Sequence, residues 1–153
     1  MTNPALDALT ASGLSHTVTC HGPVRSLAEA AAARDVEPGD IVKTMVVRRG
    51  PDDYLLVLVP GDATISWPKL RAVLGVNRLS MPDAEEARAV TGFERGTITP
   101  IGSTHDWPVF ADETIVGQCV AMGAGAHGFS LFVEADDLIR AYGATVADIT
   151  VPE

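Results

Sequence analysis

IVKTMVVRRGPDDYLLVLVP, residues 41–60, sets two apolar runs rich in Val, Ile and Leu on either side of the polar stretch RRGPDDY. Gly50 and Pro51 punctuate the middle, and the flanking runs read as two strands joined by a hairpin connection. Outward from this pair, helical signals alternate irregularly with strand signals. NPALDALTASG (3–13) offers Asn3 as N-cap, Pro4 at the first helical position and Gly13 as a stop. RSLAEAAAARD (25–35) carries a capping box, Ser26 with Glu29. SWPKLRAVLG (66–75), MPDAEEARAVTG (81–92) and EADDLIRAYG (134–143) each end on glycine. Further strong strands are QCVAMG (118–123) and FSLFVE (129–134). Weaker ones are HTVTC (16–20), NRLSM (77–81), GTITP (96–100) and PVFAD (108–112). Without strict alternation of strand and helix, the pattern predicts an α+β fold. A mixed, mostly antiparallel, barrel-like sheet flanked by helices is expected, and not a doubly wound parallel sheet.

The 153 residues fit one domain, expected to span 1–153. With 46% hydrophobic and 20% charged residues, the composition excludes a disordered chain. A net charge of −9 argues against broad, non-specific grip on phosphate backbones, but leaves room for a small pocket that takes a nucleotide end. No apolar run reaches the length of a membrane span, and the first 13 residues lack the features of a signal peptide. Cys20 and Cys119 lie far apart and outside any CxxC motif, so a reduced, cytoplasmic protein is expected.

Lys43 stands at the head of the first long strand, between Val42 and Thr44. Such a lysine either snorkels out of an edge strand or points into a cleft, where it binds phosphate or orients a carbonyl. In GFERGTITPIG (92–102), glycines let backbone N–H groups approach a ligand, and Pro100 stiffens the turn. Taken alone, this GxxxP pattern also fits a bulged strand end. MGAGAHG (122–128) is a second glycine loop without the GxGxxG spacing of a dinucleotide site, and a tight hairpin also fits it. His16, His21, His105 and His127 have no metal-ligand spacing, so no metal and no cofactor are expected. Cys20 and His21 would point to opposite faces of a strand and make a poor nucleophile–base pair. Cys119 reads as a core residue, and Trp67 and Trp107 as packing anchors.

Lys-Thr on a strand, then GxxxP with a trailing glycine, then a glycine loop before a strand and a last helix occur in one order. Together with PGDATISWPKLRAVLG, PDAEEARAVTGFERGTITPIG, VFADETI and EADDLIRAYGATVADI, this set resembles the YbaK family, also called the prolyl-tRNA editing domain. The resemblance runs from about His16 to the end of the chain. It implies a trans-editing hydrolase that cleaves the ester of a mischarged aminoacyl-tRNA, with tRNA-Pro among the candidates. It also implies Lys43 as the signature active-site residue and backbone amides of Gly96, Thr97, Ile98, Thr99 and Pro100's turn holding the ester carbonyl. No side-chain nucleophile is implied, and a ribose hydroxyl of the substrate helps to place the attacking water. His21, Thr44, Gly102, Gly123, Gly125, His127 and Ser130 are the expected substrate-binding positions. Gly123 and Ser130 stand where the family's Cys-tRNA deacylases carry Ser and Asp, and Thr99-Pro100 replaces the common Ser-Pro, which leaves the amino acid unassigned. The implied partners are a tRNA acceptor end and, with it, a synthetase or elongation factor. A non-catalytic acceptor-end or nucleotide-binding module and a small-molecule esterase or binder remain the alternative readings.

Overall fold

The computed structural model describes residues 16–20, 41–94, 97–105, 107–123, 125 and 129–152. The helices expected at 3–13 and 25–35 lie outside these residues, as do His21, Gly96 and His127. The strands are β1 (His16–Cys20), β2 (Ile41–Gly50), β3 (Asp53–Pro60), β4 (Ala63–Ile65), β5 (Val109–Asp112), β6 (Cys119–Gly123), β7 (Phe129–Glu134), β8 (Thr145–Ala147) and β9 (Thr150–Pro152). The α-helices among the described residues are α1 (Trp67–Leu74), α2 (Ala84–Thr91) and α3 (Ala135–Tyr142). Seven strands form one curled, half-barrel sheet in the order β1-β7-β6-β2-β3-β5-β8, and β4 pairs with β9 in a second, two-stranded sheet.

The hairpin read from residues 41–60 is the centre of this sheet. β2 and β3 run antiparallel, with Thr44 opposite Leu58 and Lys43 opposite Val59, and Asp52 takes a positive φ of 55° in the turn. The β1–β7 and β6–β7 pairs are also antiparallel. The β2–β6, β3–β5 and β5–β8 pairs are parallel, so the sheet is mixed. β3 is buried from Tyr54 to Pro60, which explains its unbroken apolar run: a central strand covered on both faces has no polar side. Alternate residues feed two separate cores. Tyr54, Leu56 and Leu58 pack with Val42, Val46, Ala87 of α2 and Leu138 of α3. Leu55, Val57 and Val59 pack with Val47, Ile65, Leu70 of α1 and Ile149.

The helix boundaries follow their capping residues. Ser66 Oγ accepts from Lys69 N at the start of α1 and Asp83 Oδ1 from Glu86 N at the start of α2. The three α-helices among the described residues end on the left-handed glycines 75, 92 and 143, where a Cβ would be strained. Tyr54 Oη donates to Glu86 Oε2 at 2.5 Å and ties β3 to α2. That hydrogen bond, with burial and the Glu86 charge behind it, raises the Tyr54 pKa above its ordinary 10.0. The folded pKa exceeds the unfolded one, so the stabilisation is complete below pH 10 and is lost as pH rises through the folded value. Melting temperatures of Tyr54→Phe are therefore expected to fall less steeply above pH 10 than those of the wild type. Parallel slopes would refute this role.

Three expectations change. The described part of GTITP, residues 97–100, is a turn and not a strand: Thr97 Oγ1 donates to Glu94 O, Thr99 Oγ1 accepts from Ile101 N, and Pro100 has no N–H to give a ladder. NRLSM makes only an isolated bridge, Arg48 with Ser80. Cys119 is exposed and not a core residue, because it opens β6 opposite exposed Glu134 while the buried stretch starts at Val120. Trp67 and Trp107 do pack as anchors against the two cores. Trp107 Nε1 donates to Val90 O at 2.7 Å, and its ring meets Tyr54 edge-on at 5.1 Å.

Candidate active site

β2 and β6 run together only at Ile41–Ala121 and Val42–Met122. The next residues along the two strands are Lys43 and Gly123, so these two backbones flank the point where the sheet parts. The turn from Thr97 to Ile101 packs beside this split. All five of its residues are buried, with Ile98 and Ile101 anchored in the core that also holds Val42, Val46 and Met122. The isoleucines that looked misplaced in a loop are what clamp the turn to the sheet. Among the described residues, neither the Ile98 N–H nor the Thr99 N–H meets a backbone acceptor.

The second glycine loop touches this turn directly. A Cβ on Gly123 would lie 3.1 Å from both the carbonyl carbon and the oxygen of Thr97, so glycine permits the close approach. Gly125 N donates to Thr97 O at 3.1 Å. Ser130 stands opposite Gly123 on β7 and opposite Thr19 on β1. Thr44 faces the same side of β2 as Val42 and Val46, and its buried hydroxyl has no hydrogen-bond partner among the described residues. An orphaned buried hydroxyl is an unusual cost, and a bound polar group would remove it. The Ser103 hydroxyl, just beyond Gly102, is in the same condition.

Thr97, Ile98, Thr99, Pro100, Gly123 and Gly125 thus come together, with Thr44 on their side of β2. The Lys43 ammonium does not join them. Strand alternation places Lys43 with Met45 and Val47 on the α1 side, and its Nζ donates to Ala63 O at 3.3 Å. Sequence reasoning passed over Asp112, a fully buried carboxylate that accepts from Thr114 and, at 3.2 Å, from Ile149 N. Its position at a strand end two residues before Thr114 is the signal of a side chain that caps a turn. Among the described residues, no three His, Cys, Asp or Glu side chains are placed to hold a metal ion.

Residues 21–141 match the family model of the aminoacyl-tRNA editing domain. The chain belongs to this family. It is 30% identical over 122 residues to the proline–tRNA ligase of Bacillus cytotoxicus, covering 77% of this chain and 21% of that protein. The chain therefore spans about a fifth of the length of that ligase. Enterococcus faecalis EbsC, whose name proposes a Cys-tRNA(Pro)/Cys-tRNA(Cys) deacylase, is 25% identical, with 77% of this chain and 73% of EbsC covered. A crystal structure described as a proposed trans-editing enzyme for prolyl tRNA synthetase superposes with a TM-score of 0.88 at 29% identity, covering 99% of both chains.

Proposed function

We propose that this chain, as one editing domain, hydrolyses the ester of a mischarged tRNA in trans, with tRNA-Pro the first candidate substrate. The observation that carries the reading is the junction of the two glycine segments, Gly123 and Gly125 against Thr97. It leaves the Ile98 and Thr99 amides, which meet no backbone acceptor among the described residues, beside the point where β2 and β6 part. Water attacks the ester carbonyl, and negative charge develops on the carbonyl oxygen. The backbone N–H groups of Ile98 and Thr99 stabilise that charge, each worth about 3 kcal/mol when well aimed. The turn is held before substrate arrives by Ile98, Ile101 and the Thr97–Glu94 bonds, so little reorganisation accompanies the reaction. Electrons from the broken ester bond leave on the ribose oxygen, which takes up a proton. The products are free amino acid and tRNA.

Lys43 stands at the edge of the split on the α1 side, where it holds the 3′-terminal nucleotide while the acyl group passes between β2 and β6. Gly123, which lets the Thr97 backbone approach closely, limits the room at the acyl end, and Ser130 stands opposite it in register. One methylene is worth only about 1–3 kcal/mol of discrimination in such a pocket, which is why a second site for editing is useful at all. The relatives named as proline–tRNA ligases and EbsC are the support for tRNA-Pro. A deacylation panel tests the reading: tRNA-Pro and two other tRNAs, each charged with Ala, Cys, Ser or Pro. Hydrolysis of one mischarged species well above the buffer rate is expected. Binding without turnover across the panel would reduce the chain to an acceptor-end binding module.

A further inference from the structure

An arginine-lined cleft opens at the far end of β2 from Lys43. It is an open depression of about 480 Å³ between the β2–β3 hairpin, α1 and the segment that follows α1. Arg48, Arg49, Arg71 and Arg78 line it, with Asn77 and Ser80 adding polar groups. The chain carries 11 basic against 20 acidic residues, so four arginines at one cleft run against its overall charge. Two of them are committed to the protein. Arg49 pairs with Asp53 through Nε and Nη2 at 3.0 and 3.1 Å, and Arg48 lies 3.8 Å from Glu86. The guanidiniums of Arg71 and Arg78 have no hydrogen-bond or ion-pair partner among the described residues. Two unpaired guanidiniums beside a concave surface are suited to phosphate, which their planar forks bind bidentately.

Resting on the editing function above, we infer that this cleft binds the phosphodiester backbone of the tRNA acceptor stem. α1 covers the face of β2 on which Lys43 projects, so Arg71 of α1 is the cleft's guanidinium on the Lys43 side, while Arg48 projects on the other face toward Glu86. The end of β2 at the cleft lies five residues beyond Lys43, about 17 Å at roughly 3.3 Å per residue. Five stacked nucleotides at about 3.4 Å each span the same length. A terminal nucleotide at Lys43 thus brings the junction of the single-stranded 3′ end and the stem to the arginines. This local basic contact lets a chain of charge −9 grip RNA that the rest of its surface repels.

The test is binding of fluorescently labelled, uncharged tRNA by anisotropy, from 50 to 200 mM KCl, for the wild type and R71E/R78E. The double reversal is expected to weaken binding at least 10-fold at the lowest salt. It is also expected to lower the slope of log affinity against log salt by about 1.5, close to 0.7–0.9 per lost phosphate contact. If the reversal lowers the melting temperature, R71Q/R78Q carries the same comparison. Unchanged affinity and slope in a folded variant, or a wild type that binds no tRNA, overturns the assignment. The readout involves no hydrolysis. Arginine-dependent binding without any deacylation refutes the proposed function and spares this surface. Deacylation with binding indifferent to both substitutions refutes this surface and spares the function.

Discussion

Lys43→Ala is expected to lower kcat/KM for deacylation of a mischarged tRNA at least about 100-fold, the usual loss when one aimed electrostatic contact is removed. Stability should hardly change. Lys43 is half-buried, and its one hydrogen bond, to Ala63 O at 3.3 Å, contributes about 1 kcal/mol at most. Effect on activity and effect on fold therefore separate cleanly at this residue. Lys43→Arg should rescue only part of the loss, because a broad, planar fork cannot replace a compact ammonium at the same point. The same assay with a short aminoacyl ester lacking the nucleotide should show almost no difference between wild type and Lys43→Ala, since the proposed contact is with the terminal nucleotide. Wild-type kcat/KM for Lys43→Ala on full-length substrate would remove the lysine from the mechanism.

Gly123→Ala is the second large effect, and its cause is steric. The added Cβ would sit 3.1 Å from the carbonyl carbon and oxygen of Thr97 and 3.3 Å from its Cα. All three are backbone atoms in a buried turn and cannot retreat the way a flexible side chain can. The turn must shift by a few tenths of an ångström, and the Ile98 and Thr99 amides shift with it. Overpacking of this kind costs about 1–3 kcal/mol of stability. Misaligned amides cost about another 10²-fold in turnover. The combination to look for is a modest drop in melting temperature with a much larger drop in kcat. A variant with the full wild-type kcat would show that the two glycine segments are only neighbours in the fold. Bringing Ser to this position, as in the Cys-tRNA deacylases that the sequence resembles, meets the same backbone unless the turn sits differently in those proteins.

What the amino-acid pattern made legible was whatever a short window determines. The β2–β3 hairpin, the Ser66 cap and the terminal glycines of three helices are local signals, and each appears where residue chemistry places it. β4, β8 and β9 are three residues long, too short for a period of two to declare itself. They form because β4 and β9 find each other across the chain and β8 finds β5. The contact between the two glycine segments was legible in the glycines, and the face of β2 on which Lys43 projects was not. Adjacent strand residues face opposite sides, so Lys43 and Thr44 could never both enter one pocket, and only the packing of Ile98 and Ile101 decides that Thr44 is on the turn's side. The arginine cleft was invisible because Arg48 and Arg71 are 23 positions apart and meet only when α1 folds back over the sheet.

The most direct measurement is a crystal structure with a non-hydrolysable 3′-aminoacylamino-adenosine bound. The account predicts the acyl carbonyl oxygen about 2.7–3.1 Å from N–H groups of the 97–100 turn, the acyl side chain beside Gly123, and the Lys43 ammonium released from Ala63 to the nucleotide. An analogue seated elsewhere, or one whose carbonyl turns away from that turn while Lys43 stays on Ala63, would contradict it.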